Sequence, residues 1–141
     1  MTTAPAGEAI VLYDADCGWC RWTLAKFLRR DRRRRLTTLA IQAPAAGAFL
    51  AGMTMQERLA SWHLATPDGR LHFGGAVFAP LLRLLPGGAP LALAASALPG
   101  LTERTYRSVA HQRRLLARPL RPGAVARADG IVAQRSRPTP P

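Results

Sequence analysis

Residues 9–28, AIVLYDADCGWCRWTLAKFL, change their hydrophobic period partway along, and that change constrains the fold more than any other feature of the chain. The run AIVLYD (9–14) is short, continuously apolar and closed by an acidic residue, the pattern of a strand buried on both faces. From Cys17 the period becomes 3.6, with Cys20, Leu24, Phe27 and Leu28 on one side. A helix is therefore expected to about Arg30, with Asp16 at its N-cap. LTTLAI (36–41), rich in branched and threonine residues, reads as a second strand. Strand, helix, strand implies a right-handed crossover and parallel pairing.

Further along, PAAGAFLAG favours a short helix broken at Gly52, and TMQERLAS a second with Thr54 as cap and Glu57 completing a capping box. SWHLAT (61–66), PDG (67–69) and RLHFG (70–74) form a hairpin signal, two alternating segments around a tight turn. GAVFAPLLRLL (75–85) reads as a helix that tolerates Pro80 only in its first turn and stops at PGG. LALAASAL (91–98) is a small apolar helix, and the last element runs from a Thr102 cap to Arg118. The expected class is α/β: a small mixed sheet, parallel β-α-β plus an antiparallel hairpin, flanked by helices with extra ones at the C-terminal end. At 141 residues the chain suits one core, placed at 9–118. Residues 1–8 read as a flexible lead, and 119–141, rich in Arg, Ala, Pro and Gly without periodicity, as a disordered tail.

The formal charge of +12 is almost wholly arginine, since Lys26 is the only lysine. An arginine-rich coding habit accounts for that bias as well as an anionic partner does, and the run Arg29–Arg35 lacks the interleaved aromatics of a nucleic-acid surface. It is read as a solvated helix C-terminus, and nucleic acid is disfavoured as a partner. Residues 84–101 carry no charge, but Pro86, Gly87, Gly88, Pro90, Pro99 and Gly100 interrupt them, so no transmembrane span is expected; a peripheral membrane contact stays open. No basic region precedes the first apolar segment, which makes the cytoplasm the expected location.

In that compartment the two cysteines, Cys17 and Cys20, favour redox or metal chemistry over a structural staple. A zinc site needs two more ligands, and His63, His72 and His111 have no ligand-like spacing, so neither metal nor cofactor is expected. At the start of a helix, unpaired N–H groups and the helix dipole favour a thiolate at Cys17. Cys20, one turn further in, is the resolving partner. Arg21 would favour the thiolate; Asp14 and Asp16 would oppose it unless one is protonated or accepts the Cys20 proton. Trp19, between the cysteines, is a candidate docking surface, while Trp22 and Trp62 read as core aromatics.

The element order, with Cys-x-x-Cys opening the first helix, resembles the thioredoxin-like fold. VLYDADCGWC (11–20), FLRRD (27–31), the PDG hairpin, GAVFAPLLRLL and YRSVAHQRR (106–114) resemble the DCC family of thiol–disulfide oxidoreductases, over about residues 9–118. The resemblance implies a redox pair at Cys17 and Cys20, a family aspartate at Asp14, and a match at Tyr13. It also implies a disulfide- or thiol-containing substrate and a redox partner, neither of which it identifies. Two positions depart from the pattern: Ala60 and Ser61 precede Trp62 where thioredoxins place a proline, and His111, Gln112, Arg113 and Arg114 replace an Arg-Asn-Arg-like ending. The competing reading is a non-enzymatic thioredoxin-like module whose basic surface meets an acidic protein, nucleic acid or anionic membrane.

Overall fold

The computed structural model describes residues 7–137; most of the expected flexible lead, residues 1–6, and the last four residues of the expected tail lie outside the described residues. Strand β1 (Ala9–Tyr13) is followed by helix α1 (Gly18–Arg30) and strand β2 (Leu36–Ala40). After a 3-10 turn at Pro44–Ala48 come helix α2 (Met55–Ala60) and the hairpin β3 (His63–Ala65) and β4 (Leu71–Phe73). Helices α3 (Phe78–Leu84), α4 (Ala89–Ala97), α5 (Pro99–Ala117) and α6 (Pro122–Ala133) complete the chain. The sheet order is β2-β1-β3-β4, with β1 parallel to β2 and antiparallel to β3.

Every residue of β1 is buried, as its unbroken apolar run requires. Its alternate side chains feed two cores. Ile10 and Leu12 meet Leu39, Ile41 and Leu50 on one face, while Ala9, Val11 and Tyr13 meet Leu24, Leu28, Leu64 and Leu81 on the other. The capping box of α2 is formed as expected, with Thr54 Oγ1 accepting the Glu57 N–H and the Glu57 carboxylate accepting the Thr54 N–H.

The turn from α1 to β2 depends on the one acidic residue inside the arginine run. Asp31 is fully buried, and its carboxylate accepts the N–H groups of Arg35 and Leu36 at 3.0 and 2.9 Å and the Arg135 guanidinium at 2.9 Å. The neighbouring Arg29, Arg30 and Arg32 to Arg34 are exposed, the solvated helix end expected of them.

Three expectations are corrected. The N-cap of α1 is Cys17 rather than Asp16, because the Asp14 carboxylate takes the Asp16 N–H and Gln42 takes the Asp16 carboxylate, which leaves the next residue to cap. Helix α5 starts at Pro99, whose missing N–H costs nothing in a first turn, and Thr102 bonds back to Leu98 O from inside it. Most of the supposed tail is ordered: α6 packs on α1 with Ala128 and Val132 buried, and the backbone of Thr38 bonds to Arg135 O and Arg137 N. Its apolar stripe is made of small residues, which bury well against a helix yet give a weak sequence signal.

Candidate functional site

The β1–α1 junction is tied down before the cysteines begin. Asp14 O accepts the Cys17 N–H at 3.3 Å, and Gln42 clasps the loop by accepting the Ala15 N–H while donating to the Asp14 carboxylate at 2.8 Å. Cys17 is half-buried, and its Sγ accepts the Cys20 N–H at 3.2 Å. The thiol itself therefore satisfies one of the orphan donors at the start of α1. Cys20, 4% exposed, faces the core.

The two thiols are electrostatically unequal. The Cys17 pKa falls to about 7, chiefly through the hydrogen bond from the Cys20 thiol; burial opposes this, while the Cys20 N–H and the positive charge of Arg113 assist and Asp14 opposes. Cys20 is held well above the ordinary thiol range, first by donating to Cys17 and then by burial and the Cys17 charge, against Trp62 and Arg113, which lower it. Above about pH 7 the pair keeps one proton, held on the inner sulfur, and the outer sulfur carries the thiolate.

The other expected residues separate. Tyr13 is buried at the end of β1, its hydroxyl pKa raised by burial. Asp14 acts on Cys17, Asp16 is exposed on Gln42, and neither is a leading cause of the Cys20 shift. Arg21 donates to both carboxylate oxygens of Asp129 on α6, at 2.8 and 2.9 Å, and is not a leading cause of the Cys17 shift. Trp19 is half-buried and stacks on Trp22, with centroids 5.3 Å apart, while Trp62 is buried.

The guanidinium that acts on both thiols is Arg113 of α5. Its Nη1 donates to Leu59 O at 3.0 Å, and one face of α5 further up offers the Tyr106 hydroxyl to the Trp62 N–H at 2.9 Å. Helix α5 lies close because residues 74–77 present no side chain at Gly75, where a Cβ would sit 2.7 Å from Glu103 Cα. The Glu103 carboxylate accepts the Gly75 N–H there. A helix through Tyr106, Val109 and Ala110 to Arg118 was visible in the sequence; that it closes over the cysteines was not.

Beside Cys20, this stripe of α5 with α4 and α1 walls a cavity of about 410 Å³. Among the described residues no group of three or more His, Cys, Asp or Glu could hold a metal ion, and no helix is long and apolar enough to cross a membrane.

A four-stranded mixed sheet with Cys-x-x-Cys opening its first helix defines a thioredoxin-like dithiol protein. Residues 11–119 match the family model described as DCC1-like thiol-disulfide oxidoreductase, and the chain belongs to that family, an oxidoreductase class. No curated protein and no solved structure matches it.

The split between the thiols sets a pH profile. The alkylation rate of Cys17 by iodoacetamide is expected to climb through a midpoint near pH 7 and level off above it, because only the thiolate reacts. Arg113→Gln should move the midpoint upward. A wild-type midpoint near that of free cysteine would remove the asymmetry.

Proposed function

We propose that this oxidoreductase exchanges a Cys17–Cys20 dithiol with a disulfide substrate in the cytoplasm, Cys17 attacking and Cys20 resolving. The observation that carries the reading is the geometry of the pair: Cys17 caps α1 half-buried, its Sγ accepting the Cys20 N–H, with Cys20 buried one turn behind it. Cys17 thiolate attacks one sulfur of the substrate, the substrate S–S bond breaks, and the first thiolate leaves. The leading cause of the high Cys20 pKa, its bond to the Cys17 thiolate, then disappears along with that charge. Burial still opposes ionisation, but Trp62 and Arg113 now act with no thiolate against them. Cys20 gives its proton to the departing thiolate or to water, attacks Cys17 Sγ, and releases the second thiol. The order of events follows: the resolving thiol becomes available only once the first sulfur is engaged.

Poising the purified protein across thiol–disulfide potentials, alkylating and weighing the intact chain tests this. The expected result is cooperative loss of both alkylations at one potential, with an internal disulfide. Two thiols that titrate independently would refute the exchange reading.

A further inference from the structure

The cavity beside Cys20 extends well beyond what two thiols need. Its volume of about 410 Å³ falls in the range of roughly 300–1,000 Å³ found for small-ligand sites. It is also elongated. Leu101, Thr105, Tyr106, Val109, Ala110 and Arg113 line it from one face of α5, and at 1.5 Å per residue that face spans about 18 Å. Arg113, at one end, lines the cavity together with Cys20, so the cavity reaches the inner sulfur of the pair. At the other end Leu98 and Leu101 stay 54% and 59% exposed, which carries the apolar wall out to the rim.

Two polar groups in the wall are incompletely partnered. Arg113 engages Leu59 O through Nη1, but among the described residues no carboxylate pairs with it. Thr23, on the α1 side, has a buried hydroxyl with no hydrogen-bond partner. A guanidinium without a carboxylate partner among the described residues, in a cavity that reaches Cys20, suits an anion there; an apolar channel leading away suits a hydrocarbon body.

We propose that the substrate is a small amphipathic disulfide, with a carboxylate within a few bonds of the sulfur that pairs with Arg113 and an apolar tail that lies along α5 towards Leu98 and Leu101. This rests on the exchange reading above. The reduced protein plus one such disulfide, RSSR, gives the Cys17–Cys20 disulfide and two RSH; the two electrons come from the dithiol, and an added small dithiol reduces the protein again.

Acylated cystines vary tail and charge while keeping the sulfur chemistry constant. N,N′-dioctanoylcystine, below its aggregation limit, is expected to oxidise the reduced protein at least about tenfold faster than N,N′-diacetylcystine, and about tenfold faster than its own dimethyl ester. Arg113→Gln should abolish the acid-to-ester ratio, a quotient that cancels any common effect on the thiolate. Ala110→Phe, which fills the channel, should abolish the tail preference. As a second readout, S-methyl-N-octanoylcysteine, which cannot exchange, should quench tryptophan fluorescence of the Cys17→Ser/Cys20→Ser protein. Equal rates for all the cystines, with the internal disulfide still forming, would overturn the substrate proposal alone. Absence of both exchange and internal disulfide would overturn the exchange reading, and the substrate proposal with it.

Discussion

Cys17→Ser should lose disulfide exchange by at least about 10³-fold, the scale on which removing a nucleophile from a unit of cooperating residues acts. Cys20→Ser should keep the first step and stall there, accumulating a mixed disulfide on Cys17. The difference follows from geometry rather than from chemical type. Cys17 is half-buried at the start of α1 with its pKa near 7, whereas Cys20 is 4% exposed and protonated. Removing Cys17 relieves the main cause of the Cys20 shift but not its burial, so the inner thiol does not inherit the outer one's role. In Cys20→Ser the serine hydroxyl cannot expel a substrate thiolate, and the adduct persists until dithiothreitol is added. Intact mass after incubation with a disulfide reads both variants. An adduct of equal yield on Cys17→Ser would mean the attacking and resolving roles are assigned the wrong way round.

The parts of this site that were legible in the sequence are those encoded by local period. The switch from AIVLYD to a 3.6 repeat located β1 and α1, and the capping box and PDG turn located α2 and the hairpin, because each of those signals is complete within about ten residues. Charge partners are not local in that way. Arg21 is next to Cys20 in the chain, but consecutive helix residues point about 100° apart, and this side chain turns to Asp129 on α6. Arg113 is remote in sequence and arrives through the packing of α5, which no nearby residue announces. Asp14 and Asp16 were read as acids beside the thiols, yet much of their hydrogen bonding goes to the Gln42 clasp across the β1–α1 loop. Helix α6 escaped notice for a different reason: Ala128 and Val132 bury a stripe too narrow and too small-sided to stand out from the alanine-rich composition around it.

Arg135→Leu is expected to lower stability by about 3–5 kcal/mol, the cost of leaving a buried charge without its counter-charge. Asp31 has no exposed surface and Arg135 is only 15% exposed at its side chain, so water cannot replace the lost guanidinium. The variant loses more than one ion pair. Arg135 Nη2 also donates to Asp31 O and Nη1 to Leu36 O, so a single side chain fastens the α1–β2 turn to the segment after α6. Thermal melting should fall by roughly 10 °C, at about 2–4 °C per kcal/mol for a chain of this size. Asp31→Asn in the same background should recover part of the loss, because it removes the stranded charge while keeping an acceptor for one of the Arg35 and Leu36 N–H groups. Arg135 contributes neither to the Cys17 and Cys20 pKa shifts nor to the cavity wall, so exchange per folded molecule should survive where stability does not. A melting temperature unchanged in Arg135→Leu would show that the segment after α6 does not anchor the fold in solution, and the dependence of the α1–β2 turn on it would have to be abandoned.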